Sequence, residues 1–191
     1  MRRRVLTGLA IAAVAGIAAS ATIDSIDVDR DGGVYSLRSE THLAASPEAI
    51  RAVLTDYDNF DRISHVYKEF GYLEAEPDGT PVIFTRMEGC VLFFCKSLKR
   101  VERLEADEFE HIRTVTLPEQ SDFRSSVSEW SIEAAGTGSR VIYTLEMEPD
   151  FWVPPLIGPP LLKRTLKRGG TRALDRIESL AQEVDAAAAG A

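Results

Sequence analysis

Phe151-Trp152-Val153-Pro154-Pro155-Leu156-Ile157-Gly158-Pro159-Pro160 divides this chain, because strand-like alternation ends at it and a long helical pattern begins after it. Helical spacing places Leu162, Leu166, Gly169 or Gly170, Ala173, Ile177, Leu180 or Ala181 and Val184 along one stripe, which must be buried against something. The strands that precede the step are the only large partner available. The adjacent glycines, Gly169 and Gly170, lie on or beside that stripe, where alanine would favour the helix by about 1 kcal/mol per position. Their missing side chains leave room for close helix–sheet packing or for a ligand.

Working back from the step, strand patterns recur between turn signals at Glu76-Pro77-Asp78-Gly79, Ala106-Asp107, Pro118–Asp122 and Gly136-Thr137-Gly138. They predict strands over Val66–Ala75, Thr80–Gly89, Lys96–Glu105, Glu108–Leu117, Phe123–Ala135 and Ser139–Glu148. Val34–Ala44 alternates as a further half-buried strand. Ser46 is a good N-cap and Pro47 suits the first helical position, so Pro47–Tyr57 is predicted as a helix with Ile50, Val53 and Leu54 inward, and Asp58 can cap a second short one through Ile63. The fold class is therefore α+β. A seven-stranded curved antiparallel sheet, with two short helices after its first strand, wraps a long C-terminal helix.

The N-terminal end reads differently. Met1-Arg2-Arg3-Arg4, the apolar run Val5–Ala19 and Ala19-Ser20-Ala21 have the three zones of a secretory signal peptide, so residues 1–21 are expected to be removed after Ala21 and the domain exported, into a periplasm. Residues 22–33 are short and aspartate-rich and read as an acidic linker; residues 34–185 form the domain and 186–191 a disordered tail. Asp27-Val28-Asp29-Arg30-Asp31-Gly32 opens like a calcium loop, but Arg38 occupies the place of the bidentate glutamate that such a loop needs. At 191 residues there is one domain plus appendages. Without residues 1–21, which hold three arginines and no acid, the net charge of −8 becomes −11, which argues against a nucleic-acid partner.

Three stretches carry a family likeness. Ala45-Ser46-Pro47-Glu48-Ala49-Ile50-Arg51-Ala52-Val53-Leu54-Thr55-Asp56-Tyr57-Asp58-Asn59-Phe60 is similar to the opening phrase of the START-like, or SRPBCC, superfamily. Glu129-Trp130-Ser131-Ile132-Glu133 before Gly136–Val141 resembles its penultimate hairpin, and Phe151–Leu162 with the following helix resembles its closing step. The chain looks closest to the superfamily's polyketide cyclase/dehydrase and coenzyme Q-binding group, which shares a helix-grip fold with birch-pollen allergens and START lipid-transfer domains. The resemblance implies a cavity between sheet and long helix for a hydrophobic or amphipathic small molecule of lipid, quinone or isoprenoid type, with no cofactor. None of the three stretches is catalytic, and the fold serves both carriage and chemistry.

Periodicity selects the candidate site. Phe84, Trp130, Tyr143, Leu166, Gly169 and Gly170 are expected to line the cavity, with Phe93, Phe94 and Trp152 at its mouth. If Val82 and Phe84 face inward, so do Arg86 and Glu88; if Phe109 and Val115 do, so do His111 and Arg113. Such inward charges would orient a ligand's polar end, or serve a cyclase- or dehydrase-like reaction by proton transfer. In Cys90-Val91-Leu92-Phe93-Phe94-Cys95, a straight strand would hold the cysteines about 16 Å apart, so a disulfide requires the chain to reverse within Val91–Phe94. An exported chain with two cysteines favours that pairing, and the apolar tip then packs as core, gates the cavity or docks a cell-envelope partner. Lys163, Arg164, Lys167, Arg168 and Arg172 crowd one helix segment, either as a solvated face or as a surface for anionic lipid headgroups. The histidines lack metal-ligand spacing, and no G-x-S-x-G, P-loop or G-x-G-x-x-G occurs, so no metal and no catalytic residue is assigned.

Overall fold

A computed structural model describes residues 22–91, 94–106, 111–153 and 159–190. The chain runs β1 (Thr22–Asp31), β2 (Val34–Leu43), α1 (Pro47–Thr55), a 3-10 turn (Tyr57–Arg62), β3 (Tyr67–Leu73), β4 (Val82–Val91), β5 (Phe94–Ala106), β6 (His111–Thr116), β7 (Phe123–Ala135), β8 (Gly138–Pro149) and α2 (Pro159–Ala189). The strands form one antiparallel sheet in the order β1-β2-β8-β7-β6-β5-β4-β3. β3 to β8 are the expected meander, and β2 joins its far side by pairing with β8, Thr41 opposite Val141.

The sheet has eight strands where the sequence predicted seven. The added strand is β1, within residues 22–33 that were expected to be a linker. Gly32, at φ 58°, makes the tight reversal into β2. Ile26 and Val28 are buried against Leu37, while Asp27 and Asp29 take the opposite parity. Aspartates disguised the alternation, yet on an edge strand their charge suits the solvent side. At the other end α2 runs on through Ala186–Ala189, residues assigned to a disordered tail, because alanine is the best helix former. The expected signal peptide lies outside the described residues.

Ser46 caps α1 by accepting from Ala49 N at 3.2 Å, with Pro47 opening the helix and Ile50 and Leu54 buried. Leu43, Ile83, Leu104, Ile112, Ile132 and Val141 form the core with these residues and with Leu174, Ile177, Leu180 and Ala181 of α2. Polar clamps fix the second half of α2 to the corner between β2 and α1. Ala44 N donates to Glu178 Oε1 (2.6 Å), Ser46 N to Asp185 Oδ2 (2.9 Å) and Gln182 Nε2 to Ala44 O (2.9 Å). The first half of α2 runs along β1 instead, with Lys163 Nζ 3.2 Å from Asp27 Oδ1. Of the predicted stripe, Ile177, Leu180 and Ala181 are buried and Ala173 half-buried, whereas Val184 is 40% exposed and Leu174 is buried unforeseen.

Candidate functional site on the helix-facing side of the sheet

Cross-strand partners share a face, so the buried core strands identify which parity looks toward the helices. Ile83, Leu104, Ile112 and Ile132 fix it: on that side lie Thr85 and Met87 of β4, Leu98, Arg100 and Glu102 of β5, Thr114 and Thr116 of β6, Ser126, Ser128 and Trp130 of β7, and Tyr143, Leu145 and Met147 of β8. A floor of charge and hydroxyls therefore occupies ground where a core would place apolar groups.

Arg100 and Glu102, two residues apart on β5, form its centre. Arg100 donates from Nε and Nη2 to Glu102 Oε2 at 3.1 and 2.8 Å. The Glu102 side chain is 1% exposed and that of Arg100 15%. Burial, the largest single effect, opposes the Arg100 charge, but the adjacent Glu102 carboxylate together with Tyr143, Tyr67 and Tyr57 outweighs it and holds the guanidinium protonated more firmly than usual. From Glu102 a row of hydroxyls crosses three strands. Thr114 Oγ1 donates to Glu102 Oε1 (2.9 Å) and stands 2.8 Å from Ser128 Oγ. Each hydroxyl has one proton and a carboxylate oxygen accepts, so the row is directed: Thr114 donates to Glu102 and Ser128 to Thr114, which leaves Ser128 free to accept.

Aromatic walls flank this floor. The Trp130 and Tyr143 rings lie 4.2 Å apart between centroids, and both residues are half-buried. Across from them Tyr57 stacks on Phe60 (4.3 Å) and Phe60 meets Tyr67 edge-on (4.8 Å). Burial, the largest cause, pushes the Tyr143 phenol up to about 12 and also raises Tyr57 and Tyr67; Arg100 pulls all three the other way. Leu98, Met87, Leu145 and Met147 are half-buried apolar neighbours on the same face. Four buried oxygens there, Tyr35 Oη, Thr85 Oγ1, Thr116 Oγ1 and Ser126 Oγ, have no hydrogen-bond partner among the described residues.

Among the predicted lining residues, Trp130 and Tyr143 are on this face. Phe84, Arg86, Glu88, His111 and Arg113 are not: the register puts Ile83, Thr85 and Met87, and Ile112 and Thr114, on the inside instead. Alternation misled because the outer face has buried apolar groups of its own, Val82 and Val101, while β6 turns threonines inward. Arg86 pairs outside with Glu69 (3.1 Å), and Arg113 bridges Glu129 (3.1 Å) and Glu105 (2.7 Å). His111 and Arg113 border an outer-face hollow of about 410 Å3 with Arg38 and Thr144. Glu88 borders another, of about 510 Å3, with His65, Lys68 and the two cysteines.

Cys90 and Cys95 face each other across the β4–β5 hairpin and are joined by a disulfide. Phe93 lies outside the described residues, as do the side chains of Phe94 and Leu166. Trp152 is 70% exposed. Gly169 is exposed, and a Cβ there would meet no atom of the described residues within 4 Å; a Cβ at Gly170 would touch Ile23 Cδ1 at 3.5 Å, an ordinary contact. The glycines thus border β1 and solvent rather than the polar floor. Arg100, Glu102, Thr114 and Ser128 escaped notice because β5 reads as a charged surface strand. Assigning Leu98 and Leu104 to the interior would have delivered Arg100 and Glu102 at period two between them. Among the described residues no group of three or more His, Cys, Asp or Glu could hold a metal, and no helix is long and apolar enough to cross a membrane.

Residues 35–182 match the family described as polyketide cyclase / dehydrase and lipid transport. No curated protein matches the chain. Among solved structures it is similar to a START superfamily protein from Mycobacterium smegmatis (24% identity, 78% of this chain and 99% of that one, TM-score 0.58). It is also similar to the Zhui aromatase/cyclase from Streptomyces sp. R1128 (16%, 78% and 94%, 0.57). A STAR-related lipid transfer protein from Xanthomonas axonopodis matches at 15% identity over 83% of this chain and 99% of that one, TM-score 0.58. At these identities the likeness is one of fold, the START-like helix grip.

Proposed function

The protein is a member of the polyketide cyclase / dehydrase and lipid transport family, and we propose that it binds a hydrophobic molecule with one polar end on the helix-facing side of the sheet. The observation that carries this reading is the buried Arg100–Glu102 pair with its hydroxyl row, set among Trp130, Tyr143, Leu145 and Met147. Apolar burial supplies affinity and a few placed polar groups supply orientation. The guanidinium edge not turned to Glu102 meets an acceptor on the ligand, and the Tyr143 oxygen meets a donor. A lipid, quinone or isoprenoid with a carbonyl or carboxylate beside a hydroxyl satisfies both. The fold relatives named for lipid transfer and for aromatase/cyclase activity support a cavity of that kind.

Extraction of the protein purified from its own host, followed by mass spectrometry, tests this. An oxygenated apolar molecule at near-stoichiometric yield is expected from the wild type and not from Arg100→Met. Recovery of nothing from either, together with failure to bind 8-anilinonaphthalene-1-sulfonate, would count against it.

A reaction at the same floor is the second reading, favoured by the directed row that leads from Ser128 through Thr114 to a carboxylate. A ligand hydroxyl donating to Ser128 passes its proton along the row as Ser128 gives its own to Thr114 and Thr114 gives its own to Glu102. Ser128→Ala breaks the row, so turnover should vanish while probe binding persists. Export remains part of the proposal, supported by the three-zone N-terminal sequence and the two cysteines; a mature chain beginning at Thr22 in a periplasmic fraction would bear it out.

A further inference from the structure

Between Asp150 and Asp175 the chain has five basic residues and no acid, while the rest holds 17 basic against 30 acidic residues. Such segregation within one stretch calls for a cause, and the structure shows how the charges are displayed. At about 100° per residue, Lys163, Lys167, Arg164, Arg168 and Arg172 fall in that angular order over about half the circumference of α2. All five are exposed, in the half of the helix that the corner clamps do not reach. Lys163 is held by Asp27, and Arg172 Nε reaches the Arg168 carbonyl (3.4 Å). Arg164, Lys167 and Arg168 have no acidic partner among the described residues. In the same acid-free segment Trp152, 70% exposed, offers an aromatic side chain of the kind that settles at a membrane–water interface.

We propose that this basic arc is a docking surface for an anionic phospholipid membrane, with Trp152 of the same acid-free segment entering the interface. Charge complementarity selects the partner. Headgroups of an anionic leaflet present negative charge over an area, which suits an arc of cations on a helix, whereas the acidic remainder of the molecule is repelled and turned away. Electrostatic attraction and a single aromatic anchor give reversible contact rather than insertion. Each basic side chain near such a surface contributes about a fivefold gain in affinity.

Flotation of the mature chain, beginning at Thr22, with vesicles tests the proposal. Binding is expected to vesicles of phosphatidylcholine mixed with phosphatidylglycerol, to decline as salt is raised, and to be absent from phosphatidylcholine alone. Lys167→Gln with Arg168→Gln, both solvent-exposed, should weaken binding about thirtyfold with an unchanged circular dichroism spectrum. Brominated lipid should quench the wild type more than Trp152→Ser. Equal binding to neutral vesicles, or a double variant that binds as well as wild type, would overturn it. So would salt-sensitive self-association, seen by light scattering without vesicle binding and abolished by the same variant, which would assign the arc to a second copy of the chain.

Discussion

Replacing Glu102 by glutamine removes the charge that pairs with Arg100 inside the sheet. The two guanidinium contacts, 3.1 and 2.8 Å, are charge-assisted, and the Thr114 hydroxyl leans on the same carboxylate at 2.9 Å. Truncating one member of a buried pair costs about 3–5 kcal/mol; because Arg100 keeps some access to solvent, the lower end, about 3 kcal/mol, applies. Against a typical domain stability of about 5–15 kcal/mol that is a large share, readable by urea unfolding followed by circular dichroism with an unchanged slope. Arg100→Met combined with Glu102→Leu removes both charges at similar volume and should return stability to within about 1 kcal/mol of wild type, since buried pairs are often neutral or worse against apolar replacements. The double variant should nevertheless lose the probe anilinonaphthalene sulfonate. That outcome separates a floor kept for a ligand from one kept for stability. The reasoning fails if the glutamine variant unfolds within about 1 kcal/mol of wild type, or if the double variant is as unstable as the single one.

Other outcomes follow from particular contacts. A Cβ on Gly138 would stand 2.2 Å from the Leu43 carbonyl oxygen, a backbone atom that cannot swing aside, so Gly138→Ala should destabilise by about 1–3 kcal/mol in the same unfolding assay. Gly169→Ala meets open space and Gly170→Ala only Ile23 Cδ1 at 3.5 Å; each should raise stability by about 1 kcal/mol through helix propensity, and a loss at Gly169 would mean that something packs there. Tyr143, with its phenol held up to about 12, and the similarly raised Tyr57 and Tyr67 stay protonated in the folded state after the unfolded chain begins to ionise near 10. Their contribution is thus complete below pH 10 and is lost as pH rises toward 12; absorbance at the tyrosinate band should show delayed titration that coincides with unfolding.

The fold was legible because its signals were local. The Ser46–Pro47 cap, the glycine-marked turns and the switch at Phe151 to a helical period each act within a few residues, and β7 begins and ends where alternation placed it. β1 was hidden because its apolar residues are few and its aspartates look solvated; only pairing with β2 shows that Ile26 and Val28 have somewhere to go. The site was half legible. Trp130 and Tyr143 are large and aromatic and sit on the inner face in either reading, whereas Arg86, Glu88, His111 and Arg113 were chosen from strands whose inner positions are polar or whose outer positions are buried. A sheet that turns threonines, serines and an ion pair toward its helices inverts the hydrophobic rule on which parity depends. Departures of that kind are expected where a binding surface, rather than a core, has shaped the residues.

Methyl-detected NMR of the protein titrated with anilinonaphthalene sulfonate tests the central claim most directly. The account predicts shifts concentrated on the inner-face methyls of Leu37, Leu98, Leu145, Met87 and Met147, abolished in the Arg100→Met, Glu102→Leu variant. Shifts confined to outer-face or exposed methyls, such as those of Val115, Ile142, Leu73 and Val184, would contradict it.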